Sequence, residues 1–122
     1  VEIEFEPHEV YRPDLAGWRR DRLPVLPDEP IIRVVPDWVC EILSPTSARH
    51  DLVRKKRVYQ RSQVPHYWVI DPINETLAVH RWTKDGYTEI LSAERGETVQ
   101  VEPFPAVPLV VGAFFGDDEE EG

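Results

Sequence analysis

Asp14, Asp37, Glu41 and Lys55 are the residues whose types and spacing could do chemistry. Asp37 and Glu41 are four apart, so on an extended strand both project from one face. Asp14 falls on a separate apolar run, and neighbouring strands can bring two carboxylates to about 5 Å of each other. Such acids repel, and a hard divalent cation with oxygen ligands, Mg2+ or Mn2+, relieves the repulsion. Lys55 would then offer positive charge to a phosphate or a water beside that cation. A plainer reading competes. Asp14 and Asp37 each follow a proline and can cap turns, while Asp51 and Lys55, at i and i+4, can form a surface pair worth about 0.3–0.5 kcal/mol. Spacing alone favours the plainer reading.

The elements that must position these groups lie between Pro36 and Tyr59. Trp38 to Leu43 is a short, largely apolar run closed by Pro36 and Pro45, which reads as a mostly buried strand. Glu41 sits inside it, and a carboxylate there is costly unless something pairs with it. Ser44 to Ser47 is turn and helix-start chemistry, with Thr46 or Ser47 the expected N-cap of a helix over residues 48–62. Leu52, Lys55 and Tyr59 then share one helical face, while Arg54, Lys56, Arg57 and Arg61 point outward. Cys40 alternates with Glu41 and should face the other way, with no partner to make it a nucleophile.

Around this centre the chain reads as short strands. Residues 1–5 alternate apolar and acidic, and residues 10–18 form a second strand interrupted by Pro13. Residues 19–31, with Pro24, Pro27 and Pro30, make a loop, and 31–35 a short strand or a lead into Pro36. Tyr67 to Ile70, Thr76 to Trp82, Tyr87 to Leu91 and Thr98 to Val101 are strands separated by turns at Asn74-Glu75, Asp85-Gly86 and Arg95-Gly96. Residues 104–111 read as a covering strand or loop. Trp38, Trp68 and Trp82 are assigned to the core. The order β-β-β-α-β followed by hairpins predicts an α+β fold with an α/β-like core and a central crossover helix.

Composition narrows the class. The 122 residues suffice for one core, and a hydrophobic content of 41% with four Trp indicates a folded chain. One cysteine rules out an internal disulfide framework and suits a reducing, cytoplasmic setting. No apolar run is long enough to cross a membrane as a helix. The net charge of −9 argues on its face against nucleic acid. Its distribution argues differently: residues 12–61 hold eleven of the fourteen Lys and Arg against seven acids, a local +4, leaving −13 on the flanks. A basic middle is compatible with a phosphate-bearing partner.

The strings PDLAGWRR, PDWVCEILSPTSARHDLVRKKRVY and VPHYWVIDP resemble the Uma2 family (DUF820), grouped with the PD-(D/E)XK restriction-endonuclease-like nucleases. The matched positions are Asp14, Asp37, Glu41, Ser44, Asp51, Lys55, Tyr59, Val64, Tyr67, Trp68 and Asp71. Two departures stand out. Leu43 occupies the place of the lysine of the wider superfamily, which moves that role to Lys55 on the helix. Gln63 stands where the family usually has Gly.

The resemblance implies a restriction-endonuclease-like mixed β-sheet with C-terminal antiparallel hairpins over residues 1–115, lacking part of its natural N-terminus; the acidic run over 116–122 reads by its composition as a disordered tail. It implies an endonuclease that hydrolyses DNA phosphodiesters with Mg2+ or Mn2+. Asp14, Glu41 and the Ile42 carbonyl would bind the metal, and Lys55 would act on the water and the scissile phosphate. Asp51, Tyr59 and Asp37 would support them. Arg12, Arg19 and Arg20 would contact phosphates. A homodimer joined through an exposed sheet edge is expected. Two rival readings keep the fold: a non-catalytic nucleic-acid-binding or regulatory module, and a toxin-like or mobile-element-associated dimer.

Overall fold

The computed structural model describes residues 1–45 and 49–117, with only the backbone given for 49 and 50. The expected N-cap at Thr46 or Ser47, and most of the acidic tail, lie outside the described residues.

The central sheet has five strands in the order β3-β5-β6-β7-β8, where β3 is Leu15–Gly17, β5 Trp38–Ile42, β6 His66–Asp71, β7 Thr76–Thr83 and β8 Gly86–Glu94. Helix α1, Arg49–Arg61, carries the chain from β5 to its parallel neighbour β6. A parallel pair cannot be joined by a tight hairpin, so the basic helical segment is the crossover that the sequence order requires. The strands over 38–43 and 67–70 are direct neighbours, Val39 opposite Tyr67 and Ile42 opposite Ile70. β3, β7 and β8 run antiparallel to their neighbours, so the sheet is mixed.

Two smaller sheets complete the fold. β1 (Glu2–Glu6) pairs with β2 (Glu9–Tyr11) and β4 (Ile31–Ile32) in the order β2-β1-β4. β9 (Thr98–Val101) and β10 (Phe104–Val110) form a separate antiparallel pair, followed by a 3-10 turn over Val111–Phe115 that the sequence did not signal.

The single strand expected over residues 10–18 is corrected by the structure: it is two strands in two different sheets. Pro13 is buried between them and offers no N–H to a ladder, so the chain changes direction there. Of residues 31–35 only Ile31 and Ile32 are strand, which agrees with the lead into Pro36.

Alternation on β5 assigns the two faces of the sheet. Cys40 joins Trp68, Ile70, Leu77 and Val79 in one cluster, with Val101 and Val111 over it. Val39 joins Ile3, Phe5, Val58, Tyr59, Val64 and Tyr67 in the other, under α1. Leu77 and Val79 point into the core, whereas Arg81 is exposed and pairs with Glu102 of the covering hairpin. Trp38 and Trp82 are only half buried. The helix ends where Gln63 adopts φ 59°, a left-handed position at which glycine carries no steric cost. That accounts for the residue type the family usually places there.

Glu102 joins the hairpin β9–β10 to the central sheet through side chains. It accepts hydrogen bonds from Arg81 at 2.5 and 3.1 Å and meets His66 Nε2 at 2.9 Å. Arg81 first, then His66, hold its carboxyl down at about 2 from an ordinary 4.5. The folded pKa is depressed, so the stability from this cluster is present above about 4.5 and lost as pH falls toward about 2. Its side chain is 39% exposed, so screening limits the loss to about 1 kcal/mol. Glu102→Gln is expected to flatten that part of the pH–stability curve in urea melts at pH 2–5. An unchanged acid limb would show the cluster to be energetically idle.

Candidate active site

Glu41 is 3% exposed on the α1 face of β5, between Val39 and the helix. A buried carboxylate needs partners, and α1 supplies two. The Tyr59 hydroxyl donates to Oε2 at 2.6 Å, and Lys55 Nζ donates to Oε1 at 3.3 Å. Lys55 and Tyr59 are one turn apart, so a single helical face delivers both to one strand position. Asp51, one turn earlier, approaches Lys55 Nζ at 3.8 Å from a half-exposed position. The ammonium thus lies between a buried acid and a wetter one, and its side chain is 18% exposed. Lys56 is exposed.

Asp14 enters from the residue before β3. Its Oδ2 accepts the backbone N–H of Ile42 at 2.7 Å, which ties the start of β3 to the end of β5. The family resemblance implies a role for the Ile42 carbonyl, and the N–H of the same residue anchors Asp14. The Asp14 charge is close enough to be felt at Glu41. Burial raises the Glu41 carboxyl most, Tyr59 and Lys55 oppose that, and Asp14 raises it further. Burial and the Glu41 charge push the Tyr59 hydroxyl far up, so it donates rather than ionises. Burial, with Glu41 and Asp14 behind it, takes the Cys40 thiol to about 12, so it is no nucleophile at neutral pH.

The remaining sequence candidates do not join this cluster. Asp37, expected either to support the site or to serve as a turn residue before the strand, lies apart from this cluster. It precedes β5 at the end away from Ile42, accepts the Arg19 N–H at 2.8 Å and pairs with Arg22 at 2.9 Å. Same-face periodicity did not carry over because the strand begins only at Trp38. Arg12 pairs with Glu2 at 3.2 Å and Arg19 with Asp21 at 3.0 Å, so two of the three expected phosphate contacts are engaged within the chain. Arg20 is exposed.

The donor set can be tested against the implied cation. Among the described residues no group of three or more His, Cys, Asp or Glu is arranged to hold a metal ion. Asp14 and Glu41 supply two carboxylates, all-oxygen and mutually repelling. Mg2+ commonly takes one or two carboxylates, keeps several waters and completes its shell with substrate phosphate. The residues therefore fit a hard cation, for which water and a substrate phosphate would supply the remaining oxygens.

The Uma2 family model, described as "Putative restriction endonuclease", matches residues 1–111. The chain belongs to the Uma2 family. No curated protein matches it. A crystal structure described as "a putative nuclease belonging to DUF820 from Anabaena variabilis ATCC 29413" superposes with a TM-score of 0.66 at 24% identity, over 87% of this chain and 60% of that one. This Uma2 chain therefore spans about 60% of the length of that neighbour, and the likeness establishes the restriction-endonuclease-like α+β fold. No described helix is long and apolar enough to cross a membrane.

Proposed function

We propose that this Uma2 chain is a divalent-metal-dependent endonuclease acting on DNA phosphodiesters, with Asp14, Glu41, Lys55 and Tyr59 as its working residues. The observation that carries the reading is the buried Glu41 carboxylate held by Lys55 and Tyr59. A fold does not need a charge at that depth, whereas a phosphoryl-transfer site does. Asp14, Glu41 and the Ile42 carbonyl would hold the Mg2+ or Mn2+. When bound, the cation would offset charge on the phosphate and favour deprotonation of the attacking water.

The chain's own residues do the rest. Lys55 places its ammonium where it can hydrogen-bond a non-bridging phosphate oxygen and orient the water. Asp51 and Glu41 restrain it from two sides. Tyr59 occupies one oxygen of Glu41 and sets the carboxylate's orientation, which leaves the other facing Lys55. Asp14, anchored by the Ile42 N–H, holds β3 and β5 at a fixed separation.

Supercoiled plasmid should be nicked in Mn2+ or Mg2+, and EDTA should stop the reaction. Equal activity with and without chelator would remove the metal from the reading. A second reading has an observation of its own: with only two carboxylates, and one of them already satisfied, the fold also suits a non-catalytic nucleic-acid-binding module. Binding without nicking in any divalent cation would select it. The reading further includes residues 1–115 as one domain, a cytoplasmic setting suited to the buried free Cys40, and a homodimer joined through the outer edge of β8.

A further inference from the structure

A cleft of about 430 Å3 opens at the end of β5 away from Ile42, lined by Trp18, Trp38, Phe104, Arg19, Asp37 and His66. That volume lies within the range of ligand sites, roughly 300–1,000 Å3. Its aromatic walls are fixed by their neighbours. Trp38 meets Trp68 edge-on at 5.1 Å and Phe104 at 5.4 Å, while Phe104 remains 46% exposed. Gly17 permits this: a Cβ there would lie 3.2 Å from the Trp38 ring. The polar rim is pre-set too, with Asp37 held by Arg19 and Arg22 and His66 held by Glu102. Trp18 donates its indole N–H to the Val34 carbonyl at 2.8 Å. The Trp38 indole N–H is buried and has no partner among the described residues.

The position of the cleft links it to the acids. β3 is the edge strand of the sheet; Gly17 pairs with Trp38 and Leu15 with Cys40, while Asp14 holds Ile42. The cleft and the Asp14–Glu41 pair therefore sit at opposite ends of one two-strand ladder, about 10 Å apart at roughly 3.3 Å per residue. Trp38 and Glu41 lie on opposite faces of the sheet. The open edge of β3 is where a bound strand could pass from one face to the other, and Arg20 is exposed beyond it.

We propose that this aromatic cleft binds a nucleobase of the nucleic-acid strand whose phosphate lies at Asp14 and Glu41. The proposal rests on the nuclease reading and adds a base-holding subsite to it. Every base offers a flat π-face for stacking on such aromatic walls, whatever its sequence identity.

The test uses the whole chain carrying Lys55→Met, so that cleavage is too slow to consume the ligand, with tryptophan fluorescence read during titration with adenosine monophosphate or a short single-stranded oligonucleotide. Saturable quenching is expected, weakened about tenfold or more by Phe104→Ala. Gly17→Ala, which presses on the Trp38 ring, should weaken it as well. Thermal melts of both variants check that folding is retained. Ribose 5-phosphate matching the nucleotide would mean phosphate recognition alone and overturn the proposal. Quenching by a proline-rich peptide but not by nucleotides would overturn it too. Nicking by the wild-type chain without nucleotide quenching of Lys55→Met removes the base site and leaves the nuclease; quenching with no nicking by the wild-type chain removes the nuclease and leaves the base site.

Discussion

Lys55→Met should lower plasmid nicking by roughly 10²–10³-fold while the chain stays folded, the scale of losing one pre-organised charge at a phosphoryl-transfer site. Lys55 is the cation that reaches Glu41, at 3.3 Å, from a side chain only 18% exposed. Methionine can fill the same space as a flexible apolar chain. Some stability will still be lost, because the ammonium pulls the Glu41 carboxyl down against burial and its removal leaves that carboxylate one partner short. The cost should be about 1–3 kcal/mol in urea. Lys56→Met is the control: Lys56 is exposed, so cleavage at low salt should be unchanged and binding should weaken only as salt rises. Nicking by Lys55→Met within a few-fold of wild type would end the site assignment.

Glu41→Gln should separate activity from stability. The charge at Glu41 costs stability because burial disfavours it, whereas a glutamine carbonyl still accepts from Tyr59 at the same place. The melting temperature at neutral pH is therefore expected to equal or exceed that of wild type, with Asp51 still beside the Lys55 ammonium. Nicking should fall by at least 10²-fold, because the neutral amide neither holds a cation as the carboxylate does nor fixes Lys55 by charge. Glu41→Ala should lose activity equally and also lose stability, since it empties a buried position and leaves the Tyr59 hydroxyl without its acceptor. A Gln variant as active as wild type would show that the buried acid serves the fold alone. One clearly less stable than wild type would show that the ion pair with Lys55 outweighs the burial of the charge.

Sequence and structure carried different parts of this reading. The order of elements was legible because local rules act on it: the apolar run of β5 is closed by prolines, α1 shows helical periodicity, and the C-terminal strands are separated by turn residues. Lys55 and Tyr59 were legible as a pair because four residues on a helix always share a face. The conjunction of Glu41 with them was suggested by the cost of a lone buried acid, and α1 packing on β5 supplies it at 2.6 and 3.3 Å.

Long-range pairing decided what those local rules could not reach. Pro13 marked an interruption, but only the assembled sheets show that β2 and β3 part company there. Asp37 and Glu41 have matching spacing and opposite fates, since Arg19 and Arg22 approach one end of β5 and α1 the other. Arg12 and Arg19 read as free cations until the fold brought acids to them. The cleft walled by Trp18, Trp38 and Phe104 gathers residues up to 86 positions apart in the 122-residue sequence. No periodicity spans such a distance. Spacing along the chain thus determined which side chains could share one helical or strand face, and burial, register and charge pairing across the chain decided which of them met.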